Sequence, residues 1–199
     1  MSAFGAVVLA GGAARRMGGA SKPALVVGGT SLLARVLTAL AAAEPLLVVG
    51  PPDLHLPAGV SRTIERPPGG GPVAATAEAL SFLADHLPDR IALCAGDLPF
   101  LTPQVVSALL EECRDDVDGA VLIDASGRPQ WLTGVWWSAA LARRLAELGP
   151  PQGRGLRELV GELRIRQVEA PAGPPAWFDC DTAEDLRQAE EWARDHDVG

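Results

Sequence analysis

Cysteine, lysine and long apolar runs are all scarce in this chain, and each scarcity excludes something. The three cysteines, Cys94, Cys113 and Cys180, lie far apart with no CxxC pair. An odd number of thiols in apolar or helical contexts gives no disulfide framework and reads as reduced cysteine of a cytosolic protein. His55, His86 and His196 have no metal-ligand spacing, which excludes a zinc site built on them. No apolar run reaches the roughly 18–20 residues of a membrane span. The opening MSAFGAVVLAGG lacks the basic start of a signal peptide and runs straight into a strand pattern. Seventeen basic residues against 25 acidic ones leave a formal charge of −8, too acidic for a surface that coats nucleic acid. The expectation is a soluble, cytoplasmic protein that engages neither nucleic acid nor membrane.

What is present is ordinary globular material: 199 residues, 48% hydrophobic and 21% charged. That length suits one domain over 1–199, and neither an internal repeat nor a dividing linker interrupts it. Short apolar runs predict buried strands at 6–10, 46–49, 62–64, 91–95, 120–123, 131–137 and 164–168. Helical signals lie between them: a Thr30 or Ser31 cap before Leu33, Val36, Leu37 and Leu40; Pro72 before 73–87; Pro103 before a helix to Cys113; then helices from Ser138, from Gly155 and over 182–194. Such alternation implies a Rossmann-like three-layer α/β/α sandwich with a mainly parallel sheet. Ligands of such sheets sit beyond the carboxyl ends of the strands, so loops 10–22, 66–72 and 96–99 should share one rim.

The first of these loops holds the only lysine, Lys22, in a chain with 16 arginines. Gly11, Gly12, Gly18 and Gly19 surround Arg15 and Arg16 there, and successive glycine N–H groups suit an anion. No GK[ST] follows, so this is not a P-loop, and GxGxxG is absent. A compact ammonium reaches phosphate oxygens where a planar guanidinium does not fit. Chance within an arginine-rich chain is the plain alternative.

The pattern LAGGxxxRMGxxxK after the first strand resembles the nucleotidyltransferases of the molybdenum cofactor guanylyltransferase (MobA-like) group. These belong to the wider glycosyltransferase-A-like superfamily and share the fold of nucleotide-diphospho-sugar transferases. Gly71-Pro72-Val73-Ala74-Ala75 is similar to the group's GPLAG, Gly96-Asp97-Leu98-Pro99 to its CDxP, and Phe178-Asp179-Cys180-Asp181-Thr182 to its NxNT. The resemblance implies a GMP transfer from GTP to molybdopterin, with Leu9, Ala10, Gly11, Gly12 and Gly71 around the nucleotide. It implies Lys22 on the triphosphate, with Arg16 beside it in the same motif, and Asp97 on Mg²⁺. It further implies transient contact with molybdenum-cofactor insertion proteins by a monomer or weak homo-oligomer.

Physical chemistry supports the charged roles independently. Transfer at an α-phosphorus needs charge neutralised where it accumulates, and hard Mg²⁺ takes carboxylate and phosphate oxygens. Asp97, following a strand, can supply one carboxylate, or simply bond local turn N–H groups. The second is expected from Asp179 or Asp181, with Asp181 preferred, although Asp181-Thr182 with Glu184 also suits a helix cap. The resemblance implies a guanine-reading acid that falls on or beside Arg66, which leaves Glu65 as the nearest acceptor for N1–H and the exocyclic amine. Ser21 and Gly50 depart from the group's Asp and Asn. Trp131, Trp136 and Trp137 read as core before pterin-stacking groups. Arg154 and Arg157 suit either an acceptor phosphate or solvent. The resemblance also implies guanine over cytosine, since cytidylyl relatives read LAAG where this chain has LAGG at 9–12. Transfer of CMP, a sugar-phosphate acceptor, and a non-catalytic nucleotide-binding module remain the competing expectations.

Overall fold

The computed structural model describes residues 3–11 and 24–195. Its centre is a seven-stranded sheet. In chain order its strands are β1 (Gly5–Leu9), β4 (Leu46–Val49), β5 (Ser61–Thr63), β6 (Arg90–Ala95), β7 (Gly119–Ile123), β8 (Pro129–Trp137) and β9 (Ile165–Glu169). Between β1 and β4, Val26–Val27 (β2) and Thr30–Ser31 (β3) form a two-stranded antiparallel hairpin. Across the main sheet the order is β5-β4-β1-β6-β8-β7-β9. Neighbours pair in parallel except at β8, which runs antiparallel to both β6 and β7. The mainly parallel sheet expected from the sequence is therefore present, with one reversed strand inside it.

Strand alternation sorts side chains between two cores. Ala6 and Val8 of β1 join the cluster containing Val36, Leu40, Val105 and Leu109. These come from α1 (Leu32–Ala39) with its C-cap Leu40 and from α3 (Pro103–Glu112). Val7 and Leu9 join the opposite cluster, with Val73, Ala79, Leu141 and Leu159. Those come from α2 (Pro72–Phe82), α4 (Ser138–Leu148) and α5 (Leu156–Val160). Three layers result, α/β/α. Trp136 is wholly buried in the second core, and Trp131 and Trp137 pack partly buried against it.

Local chemistry sets the element ends. Ser31, not Thr30, caps α1, its hydroxyl accepting from the Ala34 N–H at 3.2 Å. Thr102 caps α3 in the same way through Val105 at 3.3 Å, with Pro103 in the first turn. The helix expected over 73–87 stops at Phe82 and continues as a separate 3-10 turn, Ala84–His86. Strand reversal at β8 follows from a tight turn: the Asp124 carboxylate accepts from the N–H groups of Ser126 and Arg128 at 2.8 and 3.0 Å.

A third, smaller core sits at one end of the molecule. Val27 and Leu32, Phe100, Cys180, and Ala189 and Ala193 of the last helix, α6 (Ala183–Asp195), are buried together there. Cys94 is also buried, which pushes its thiol up to about 12. Burial likewise raises Cys113, against the pull of Arg90 and an Ala120 backbone hydrogen bond, to about 11. Thiols so raised are inert packing groups, as their apolar sequence contexts imply. No helix among the described residues is long and apolar enough to cross a membrane.

Candidate active site

The carboxyl ends of β1, β4 and β6 are stitched together by main-chain bonds. The Ala10 N–H donates to the Val49 carbonyl at 2.8 Å and the Gly96 N–H to the Leu9 carbonyl at 3.0 Å. Glycine suits position 96 at this junction, because a Cβ there would sit 3.1 Å from that of Ala10, closer than ordinary contact. The segment after β6 then turns outward at Asp97, while Leu98 and Phe100 remain buried and anchor it.

A crevice of about 830 Å³ opens above these strand ends. Leu9, Gly11, Glu65, Gly71, Asp97 and Asp181 all line it, so six expected site residues meet where the loops were expected to gather. Ala10 lies just behind the wall, 3% exposed. Arg66 is exposed and does not line the crevice. Gly12, Arg16 and Lys22 lie outside the described residues. Ile64, Pro68 and Leu132 complete apolar stretches of the wall that the sequence motifs do not mark.

Loop 66–72 is held from two sides. One carboxylate oxygen of Glu65 accepts from the Gly69 N–H at 2.7 Å, and the Gly70 carbonyl accepts from the Gly153 N–H at 2.8 Å. Gly71, the N-cap of α2, has φ of 91°, a conformation that disfavours any residue with a Cβ. Gly71 and Pro72 both line the crevice, so the positive end of α2 borders it. Arg154, a candidate for the acceptor phosphate, is instead tied locally, with Nε on the Pro150 carbonyl at 2.9 Å and Nη1 on Glu158 at 3.1 Å.

The strongest chemical feature is a cluster of acids. One carboxylate oxygen from each of Asp97, Asp179 and Asp181 lies within 4.8 Å of the others. The sequence offered Asp179 or Asp181 as the second carboxylate; the fold gathers both. Asp179 and Asp181 are both exposed, while Cys180 between them is wholly buried. The cap competing for Asp181 is made by its neighbours. The Thr182 hydroxyl accepts from the Asp185 N–H at 3.2 Å, and the Asp185 carboxylate accepts from the Thr182 N–H at 2.7 Å.

Two unit charges at 4.8 Å repel by roughly 1 kcal/mol in water and roughly 3.5 kcal/mol at an effective dielectric of 20. Three acids held this close suit a hard divalent cation, whose preferred ligands are carboxylate oxygens. The donor set fits Mg²⁺.

A family model described as the MobA-like NTP transferase domain matches residues 6–168. A molybdenum cofactor guanylyltransferase of Bradyrhizobium sp. (strain ORS 278) is 32% identical over 194 residues, spanning 94% of this chain and 92% of its own. A solved homologue of Mycobacterium tuberculosis rv0371c, from Mycobacterium sp. strain JC1, superimposes with a TM-score of 0.74 at 26% identity, covering 96% of this chain and 97% of its own. Molybdopterin-guanine dinucleotide biosynthesis protein A from Archaeoglobus fulgidus gives 0.68 at 20% identity, over 96% and 98% of the two chains. At that identity the last likeness speaks to fold.

Proposed function

The chain belongs to the MobA-like NTP transferase family, and on that premise we propose that it transfers GMP from GTP to the terminal phosphate of molybdopterin. The observation that carries this reading is the convergence of Asp97, Asp179 and Asp181 at one end of a crevice walled by Leu9, Gly11, Glu65 and Gly71. Gly11 at the end of β1, the N-terminus of α2 and a carboxylate cluster around one space suit a nucleoside triphosphate. Names of relatives at about 30% identity support the substrates.

In this reading an acceptor phosphate oxygen attacks the α-phosphorus in line. A new P–O–P link forms while the bond from α-phosphorus to the bridging oxygen breaks, and pyrophosphate leaves with the electron pair. A phosphate monoester with a second pKa near ~6 is already largely ionised, so the chain need supply no strong base. Its task is to hold two anions in contact, and Lys22 and Arg16, in the sequence motif after β1, supply positive charge. Asp97, Asp179 and Asp181 would hold Mg²⁺, which when bound neutralises charge on the triphosphate. Glu65, half-buried in the wall, accepts from the guanine N1–H and amine.

A panel of GTP, CTP and ATP with molybdenum-bearing molybdopterin, followed by pyrophosphate release, tests this reading. GTP should exceed the others in kcat/KM by at least about tenfold, a difference of about 1.4 kcal/mol. Faster turnover of CTP would reassign the base, and no turnover of any NTP would leave a binding module.

A further inference from the structure

The family match ends at residue 168, before the segment that carries Asp179 and Asp181 to Asp97. That segment has no ladder pairing with the main sheet. What roots it is the third core. Phe178 immediately precedes Asp179, and Phe100 follows Asp97 by one short turn. Both rings meet Trp192 of α6. The Trp192–Phe178 centroids are 5.0 Å apart at 78°, and the Trp192–Phe100 centroids 5.8 Å apart at 69°. Phe100 and Phe178 themselves lie 6.5 Å apart. Edge-to-face contact is the favourable geometry for such rings, and it is directional.

Three like charges within 4.8 Å push their segments apart. Packing behind the acids acts against that repulsion. We propose that Trp192 is a positioning residue of the carboxylate site: packed edge-on against Phe100 and Phe178, it holds the Asp179–Asp181 segment against Asp97. The inference rests on the reading of these acids as cation ligands. It assigns α6 a role in the chemistry: its buried Ala189 and Ala193 seat it on the same cluster, and Trp192 sets the distance between ligands that arrive from separate parts of the chain. Phe100 and Phe178 are the two ends of that contact.

The test follows Mn²⁺ uptake by the full chain, read from loss of the free-ion EPR signal, together with amide exchange at 179–182 in the absence of metal. Variants are Trp192→Leu, Trp192→Phe and, as a control for plain destabilisation, Leu109→Ala in the first core. Trp192→Leu should weaken Mn²⁺ binding about tenfold, on the order of two lost aromatic contacts, and speed exchange at 179–182. Trp192→Phe should recover most of both, and Leu109→Ala should lower the melting temperature without changing either. Wild-type Mn²⁺ affinity and exchange in Trp192→Leu would overturn the positioning role. Mn²⁺ uptake that Asp97→Asn leaves unchanged would overturn the ligand reading instead. Exchange at 179–182 then decides the role of Trp192 on its own, faster in Trp192→Leu for the proposal and unchanged against it.

Discussion

Asp97 and Asp181 bring carboxylate oxygens within 4.8 Å of each other, one from the turn after a core strand and one from the approach to the last helix. On the reading of these acids as cation ligands, their mutual repulsion is relieved when a cation binds. Asp97→Asn should therefore melt no lower than wild type in metal-free buffer, while Mg²⁺-dependent turnover falls by roughly 10²–10³. Asp181→Asn should show the same signs with a smaller loss, since Asp179 remains. Thermal melts in chelator and pyrophosphate release against Mg²⁺ concentration check both. Full activity in Asp97→Asn would remove this residue from the mechanism.

Lys22 is the only lysine in a chain with 16 arginines, and on the proposed reading it meets the triphosphate. Lys22→Met should raise KM for GTP by about tenfold or more, the scale of one charge-assisted phosphate contact, with the melting temperature unchanged. Lys22→Arg should restore charge without restoring affinity, because the guanidinium is planar and wider. Equal KM values for wild type and Lys22→Met would mean that the solitary lysine is a compositional accident.

On the proposed reading Glu65 both holds its loop and accepts from guanine, and a single substitution separates the two. Its carboxylate accepts from the Gly69 N–H at 2.7 Å and so shapes the crevice wall. A glutamine amide oxygen can keep that bond but leaves an NH₂ where an acceptor for guanine is needed. Glu65→Gln should lower kcat/KM for GTP by about 10–100-fold, as expected when a buried polar match is broken. ITP, which lacks the exocyclic amine, should lose less. Equal losses for GTP and ITP would assign Glu65 to the loop alone.

Much of this arrangement was legible because local and global signals agree. Ala6-Val7-Val8-Leu9 reads as a buried strand and feeds both cores alternately. Gly71-Pro72 reads as a helix start, and Asp97 as a strand-end acid. The direction of β8 was not legible, since the apolar run at 131–137 has the same pattern read either way. The hairpin at 26–31 escaped because two-residue strands carry no period, although Gly28-Gly29 is itself a turn signal. At 179–182 two chemistries overlap: any Asp before Thr can cap a helix, and only the Thr182–Asp185 exchange of hydrogen bonds assigns the cap elsewhere. The meeting of Phe100, Phe178 and Trp192 depends on contacts distant in sequence, which no spacing encodes.

Far from the crevice, Asp118 ties β9 to the β7 edge. Its Oδ2 accepts from the Arg164 N–H at 2.9 Å and from Arg164 Nε at 3.4 Å, and its Oδ1 from Arg143 Nη2 at 3.3 Å. Burial opposes the charge, but the bonds from Arg164 and Arg143 outweigh it and hold the carboxyl below its ordinary range. A folded pKa below the unfolded one, near 3.9, gives stability that is complete above that value. It is lost as pH falls through the lower, folded pKa. Both arginines are more than half exposed, so solvent screening limits the contribution to about 1 kcal/mol or less. Asp118→Asn should accordingly lower the urea midpoint at pH 7 and show a shallower acid decline, the two curves converging as pH falls through the folded pKa. Urea titrations between pH 3 and pH 7 measure this directly; parallel curves across that range would mean that the Asp118 charge contributes nothing to the fold.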